Sequence, residues 1–193
     1  YSEPEAGWNS DEIYVSLYEP NAIPTISVQY DNEFEIPHDG FYGGTASITI
    51  ETEGSHFLET DYPLDLISLS PKFSNSVPVV GAITPNGAVA DERMIKVHNR
   101  LRLNRDAIRK TIDYHKDYHF KPVWDGTEEN LEEIEAFRVE MDIPKNKTFI
   151  MPAGDTRDTL VKMYPLVFEL CAKHGYNMTG RDHIIAFNTE RGV

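Results

Sequence analysis

The sequence has 193 residues, of which 40% are hydrophobic and 26% charged, a balance typical of a globular protein with a substantial core. Its formal net charge of −14 argues against binding to nucleic acid or to an anionic membrane, because like charges repel. The single cysteine, Cys171, excludes an internal disulfide, and no apolar run reaches the ~20 residues that a membrane span needs. We therefore expect a cytoplasmic protein.

The N-terminal part of the chain is acidic and irregular. Residues 1–43 contain four prolines and three glycines, with a predicted helical cap at 10–12 and a short edge strand at 25–30. We expect this irregular segment to precede a folded unit formed by residues 44–193. As an alternative, the segment is the binding arm of an acidic interaction module and becomes ordered only with its partner.

Two short apolar runs, at residues 46–50 and 64–69, predict buried strands. Polar residues follow each run at once, namely Glu51 and Thr52 after the first, and Ser70 and Lys72 after the second. Because the carboxyl ends of parallel strands form the ligand-binding edge of α/β folds, we predict that Glu51 and Lys72 face one shared pocket. The alternative is that these are ordinary strand ends, and that Ser-Pro-Lys is only a turn signal.

The middle of the chain changes from loop to helix. Residues 74–94 are predicted as a loop, either a lid or a flexible segment, and the basic stretch 96–110 as a loop and a helix with a charged outer face. Asn104 is predicted to cap a helix that ends near residue 115. Residues 119–124 predict a strand, in which Lys121 is unusual because a strand lysine must reach an edge or a partner.

The C-terminal part alternates helices and strands. Thr127 is predicted to cap a helix over 128–141, a strand follows at 148–151, and Asp155 or Thr156 caps a long helix that ends at the αL glycine Gly175. Residues 183–187 predict the last strand. Pro165 predicts a kink in the long helix, whose predicted buried stripe is Leu160, Tyr164, Val167, Phe168 and Cys171.

The order of these elements predicts an α/β fold with right-handed crossovers, built on a parallel sheet or on part of a barrel. Five motifs then occur in order: Ile50-Glu51-Thr52-Glu53-Gly54, Ser70-Pro71-Lys72, Phe120-Lys121-Pro122-Val123, Met151-Pro152-Ala153-Gly154, and His183 with Arg191-Gly192-Val193. With these motifs, residues 46–193 resemble the radical S-adenosylmethionine enzymes of the 7-carboxy-7-deazaguanine synthase family.

The resemblance implies the C-terminal part of a partial (β/α) barrel that binds S-adenosylmethionine, a [4Fe-4S] cluster and Mg²⁺. It also implies ring contraction of a 6-carboxy-tetrahydropterin on the route to queuosine-type bases, in a homodimer. The residues that the resemblance assigns to cofactor binding are Glu51, Thr52, Ser70, Lys72, Met151 and Pro152. Those it assigns to the pterin substrate are His183, Arg191 and Val193.

The sequence departs from the family in two motifs. The C-x-x-x-C-x-x-C cluster motif is missing, so no metal ligands are predicted in this chain, and so is the Gly-Gly-Glu-Pro motif. One interpretation is that the chain is part of a whole enzyme whose cluster loop lies outside this sequence. The other is a truncated or degenerate homologue that binds a ligand or a protein partner without catalysis. We favour the first, since Glu51, Ser70 and Lys72 have little structural reason to occur together.

Overall fold

The computed structural model describes residues 49–57, 59–60, 63–84 and 87–188. Several predictions lie outside these residues: the cap at 10–12, the edge strand at 25–30, the start of the first strand at 46–48, and the substrate residues Arg191 and Val193. The division between an irregular segment 1–43 and a folded unit 44–193 therefore stays a prediction.

The described residues form two parallel sheets of three strands each. The first sheet contains β1 (Thr49–Thr52), β2 (Leu66–Leu69) and β3 (Tyr118–Phe120), in the order β1-β2-β3. The second contains β4 (Val123–Trp124), β5 (Phe149–Pro152) and β6 (Asn177–Met178), in the order β4-β5-β6. Every pairing is parallel, which confirms the predicted α/β class with parallel strands.

The predicted strand at 119–124 is two strands, and it joins the two sheets. Phe120 forms a parallel bridge with Thr148, with the same sequence offset that pairs Val123 with Met151. Between β3 and β4 lies Pro122, which has no N–H to donate and therefore interrupts the ladder. The pairing changes sides there, because the Lys121 N–H donates to the Leu69 carbonyl on β2, whereas the Pro122 carbonyl accepts from Met151 on β5. The β3–β4 segment thus has one sheet on each side.

In the part of the chain that the structure describes, five α-helices lie between or after the strands: α1 (Glu92–Leu101), α2 (Arg105–Tyr114), α3 (Glu128–Glu140), α4 (Arg157–His174) and α5 (Asp182–Phe187). The predicted caps Asn104, Thr127 and Thr156 are confirmed, since each side chain accepts the backbone N–H three residues ahead. Gly175 ends α4 with φ +74°, as predicted. Within the described residues, no helix is both long and apolar enough to cross a bilayer.

The loops predicted over 74–94 and at the start of 96–110 are wrong where α1 (Glu92–Leu101) forms. Asp91 caps this helix by accepting the Met94 N–H at 2.7 Å. Before it, the described residues contain a 3₁₀ turn at Ser74–Ser76 and an antiparallel bridge between Ile83 and Val89. The prolines and glycines in the stretch suggested a loop, but they stop before Asp91.

The predicted strand at 183–187 is wrong, because these residues form α5. The place beside β5 is taken by β6 instead, and Asp182 suits the first turn of a helix. The predicted stripe of α4 is wrong at Phe168, whose ring is 67% exposed, while Leu170 is buried. The helix continues through Pro165.

The core lies between the sheets and the helices. Strand residues Ile67, Leu69 and Phe120 are buried at 1% exposure or less, and they belong to one cluster with buried residues of α2, α3 and α4. The rings of Phe73, Phe120 and Phe137 contact one another within this cluster. The helices therefore cover one face of the strands.

Candidate functional site

The register of β1, β2 and β3 places three polar side chains side by side. Glu51 is paired with Ser68, and Ser68 with His119. In a parallel sheet, register partners share a face and successive residues alternate between faces. The preceding partners, Ile50 and Ile67, are buried in the core, so the polar row lies on the face opposite to it.

Glu51 is the centre of a hydrogen-bonded group on this face. Its Oε1 accepts from Lys121 Nζ at 2.6 Å and from Ser68 Oγ at 3.1 Å. Burial of the carboxyl group raises its pKa, but the hydrogen bond and charge of Lys121, the Ser68 hydroxyl and the charge of His183 outweigh burial, so the pKa of Glu51 is lowered. Glu51 is therefore ionised at neutral pH.

The predicted substrate residue His183 lies in the first turn of α5, the helix that follows β6, and it is exposed. Its role stays a prediction.

An aromatic contact lies next to the polar group. The rings of His119 and Phe149 are 4.2 Å apart between centroids. Burial lowers the pKa of His119; the charge of Asp117 raises it, and the charges of Lys147 and Lys121 lower it further, giving a net lowering. The His119 ring is therefore mainly neutral near pH 7, and the face offers an ionised carboxylate beside uncharged rings.

The predicted cofactor residues Thr52 and Ser70 lie at adjacent strand ends. The Ser70 N–H donates to the Thr52 carbonyl at 2.7 Å, and Thr52 Oγ1 accepts the Gly54 N–H at 3.1 Å. Met151 is half-buried on β5, two residues after Phe149 and thus on the same face, whereas Pro152 is buried. The structure thus places Thr52, Ser70 and Met151 around one edge, but their roles stay predictions.

Lys72 lies three residues after β2, and its backbone contacts the residue that follows α1. Its N–H donates to the Arg102 carbonyl. Burial lowers the pKa of His98 on α1, and the charges of Arg102 and Lys72 lower it further against the charge of Glu53. Within the described residues, the cation that contacts Glu51 is Lys121, and no hydrogen bond or ion pair joins Glu51 to Lys72. A pocket shared by Glu51 and Lys72 stays a prediction.

The sequence analysis missed Ser68 and Lys121 as site residues. Ser68 is inside an apolar strand, and its hydroxyl became relevant only once the register placed it beside Glu51. Lys121 did carry a signal, since a lysine in a strand needs an edge or a partner, and Glu51 is that partner.

The described residues do not fit an iron–sulfur cluster. Cys171 is buried on α4, its thiol donates to the Asn177 carbonyl, and burial raises its pKa to about 11, so it is not a thiolate ligand. Within the described ranges, no group of three or more His, Cys, Asp or Glu side chains could hold a metal ion.

Two curated proteins are similar to this chain. One is the 7-carboxy-7-deazaguanine synthase of Rhodopirellula baltica, 28% identical over 146 residues, which are 76% of this chain and 52% of that protein. The other is the 7-carboxy-7-deazaguanine synthase of Halobacterium salinarum, 29% identical over 147 residues, 72% of this chain and 54% of that protein. The chain resembles 7-carboxy-7-deazaguanine synthases.

The comparison confirms the resemblance that the five motifs indicated. The chain spans about half the length of the curated relatives that it matches. No protein-family model matches the chain, and no solved structure matches it significantly.

Proposed function

We propose that this chain is part of a radical S-adenosylmethionine 7-carboxy-7-deazaguanine synthase. Such an enzyme converts 6-carboxy-5,6,7,8-tetrahydropterin to 7-carboxy-7-deazaguanine in the biosynthesis of queuosine-type 7-deazapurines. The observation that carries the proposal is the similarity, over about three quarters of the chain, to two proteins of that name. Mg²⁺, a homodimer and a cytoplasmic location belong to the same proposal.

The architecture supports this proposal through its parallel strands and the helices that cover one face of them. Parallel strands with helices on one face are compatible with the C-terminal part of a partial (β/α) barrel. In a barrel, the face opposite to the helices is the interior, and a carboxylate there requires partners such as Ser68 and Lys121.

The residues at the strand ends suit the polar parts of S-adenosylmethionine. The carboxylate of S-adenosylmethionine is expected to pair with the Lys72 ammonium and the Ser70 hydroxyl. Glu51 and Thr52 are expected to accept hydrogen bonds from hydroxyl or ammonium groups of S-adenosylmethionine. Met151 and Pro152 are expected to flank the adenine, and His183, with Arg191 and Val193, the pterin. S-adenosylmethionine itself would supply the adenosyl group, and these residues would bind and orient it.

The iron–sulfur cluster does not fit the residues of this chain. The sequence contains one cysteine, whereas a cluster with one open iron needs three thiolates. Under this proposal, the cluster ligands belong to a segment of the polypeptide outside the present sequence.

Anaerobic reconstitution of the complete polypeptide with iron and sulfide tests the proposal. We expect cleavage of S-adenosylmethionine and formation of 7-carboxy-7-deazaguanine from the pterin, both measured by liquid chromatography with mass detection. Glu51→Gln should reduce both, while Lys116→Met, which removes a lysine from an exposed ion pair with Asp65, should leave both unchanged. Polypeptide that has been reconstituted with iron and sulfide but cleaves no S-adenosylmethionine would contradict the proposal.

A second candidate function is favoured by the missing cluster motif. A degenerate homologue would bind a ligand or a protein partner without catalysis. The intact mass of the natural polypeptide separates the two candidates, because the present sequence has a mass of 22.0 kDa. A value near that mass would support the non-catalytic candidate, and a clearly larger value would support the synthase.

A further inference from the structure

The carboxylate of Glu51 is held by one of its two oxygens. Both donors, Lys121 Nζ at 2.6 Å and Ser68 Oγ at 3.1 Å, contact Oε1. In the described part of the chain, Oε2 accepts no hydrogen bond, and the Glu51 side chain is 49% exposed. A carboxylate oxygen has two lone pairs, so Oε2 has its full capacity to accept hydrogen bonds.

The Lys121 ammonium is committed to this carboxylate. Its side chain is only 18% exposed, although lysine side chains normally extend into water. Because a partly buried charge needs a partner close by, Lys121 is tied to Glu51 and is not available to bind an anionic group. The contact spans from the end of β3 to β1, with Ser68 of β2 between them.

We propose that Ser68 and Lys121 are positioning residues that fix Glu51 by Oε1 and leave Oε2 to accept a hydrogen bond from a hydroxyl or ammonium group of the bound ligand. This inference rests on the proposed function, in which the ligand is S-adenosylmethionine. It assigns the ligand contact to one atom and gives Lys121 no direct contact with the ligand.

The first measurement is the pKa of the Glu51 carboxyl group, followed by ¹³C NMR on glutamate-labelled protein and assigned with Glu51→Gln. In the wild type we expect a pKa below the ordinary 4.5. Lys121→Met should raise it, because burial then acts without the ammonium, and Lys121→Arg should keep it low. Lys116→Met is the control and should leave it unchanged.

The second measurement is the affinity of the full polypeptide for S-adenosylmethionine, by isothermal titration calorimetry. Lys121→Met should weaken binding about tenfold, which corresponds to about 1.4 kcal/mol, whereas Lys121→Arg and Lys116→Met should bind like the wild type. Ser68→Ala should weaken binding by a smaller factor, since Lys121 still holds Oε1. Circular dichroism checks that each variant is folded.

Different results separate the inference from the proposed function. Unchanged affinity in Lys121→Met, or a Glu51 pKa that does not move, would overturn the positioning role. Weak binding in Lys121→Arg would overturn it too, because it would indicate that the lysine itself contacts the ligand. Wild-type protein that binds no S-adenosylmethionine would overturn the proposed function and the ligand role of Oε2, while the NMR titration would still decide whether Lys121 holds Glu51.

Discussion

Gly54, which follows β1 by two residues, is expected to tolerate no larger residue. Its φ is +73°, a conformation that residues with a Cβ rarely adopt. A Cβ at this position would lie 2.7 Å from Ile108 Cγ1 on α2 and 3.3 Å from Leu69 Cδ1 on β2, and both neighbours are fully buried. Gly54→Ala therefore combines backbone strain with overpacking.

A matched control separates the backbone strain in Gly54→Ala from the overpacking. Gly175 has φ +74°, and a Cβ there would meet nothing within 4 Å, so Gly175→Ala reports the backbone term alone. That term is about 1 kcal/mol. Overpacking of a close-packed core adds about 1–3 kcal/mol. We therefore expect Gly54→Ala to lower the free energy of unfolding by about 2–4 kcal/mol, and Gly175→Ala by about 1 kcal/mol.

Urea denaturation followed by circular dichroism measures both variants, with the midpoint compared at an unchanged slope. Equal losses in the two variants, within about 0.5 kcal/mol, would refute the reasoning, because they would show that Ile108 does not limit the space at Gly54. A larger loss in Gly54→Ala than in Gly175→Ala would mean that contact between α2 and the end of β1 fixes the backbone that follows Glu51.

Three further predictions concern α3 and α4. Cys171, with its pKa of about 11, should react with iodoacetamide at pH 8 only after unfolding, as intact mass will show. Tyr176→Phe removes the hydroxyl that donates to Glu135. The hydrogen bond from Arg138 lowers the pKa of Glu135 to about 2, against the effect of burial. We expect Tyr176→Phe to lower the free energy of unfolding by about 1 kcal/mol at pH 7. The folded state stabilises the ionised Glu135 carboxylate, to which Tyr176 donates. The loss caused by Tyr176→Phe should therefore shrink as the pH falls from 4.5 towards 2 and the carboxylate becomes protonated, as urea denaturation at each pH will measure. Phe168→Ala should change the free energy of unfolding, measured in urea, by less than about 0.5 kcal/mol, since the ring is 67% exposed; a loss above about 2 kcal/mol would mean that it is buried.

Local signals predicted the helix ends well. The caps Thr127 and Thr156 depend on a contact between residues three apart, and Gly175 on its own backbone, so the sequence contains the whole interaction. The failure at residues 183–187 has a different cause. A short run with two adjacent isoleucines suits a strand or a helix, and the choice depended on β6 occupying the place beside β5.

The candidate site was harder to predict, because its members come from three strands. Sequence reasoning paired Glu51 with Lys72, the first lysine after the next strand, but the register decides which lysine is near. Ser68 is level with Glu51, so Lys72 lies four residues further along, about 13 Å in an extended chain, whereas Lys121 lies only two residues beyond His119, about 7 Å.

A lysine side chain can cover the shorter distance, and it does. The same geometry defines what the predicted pocket requires. A ligand that contacts both Glu51 and Lys72 must itself span the distance that neither side chain covers, with a hydrogen-bond donor at the Glu51 end and an anionic group at the Lys72 end.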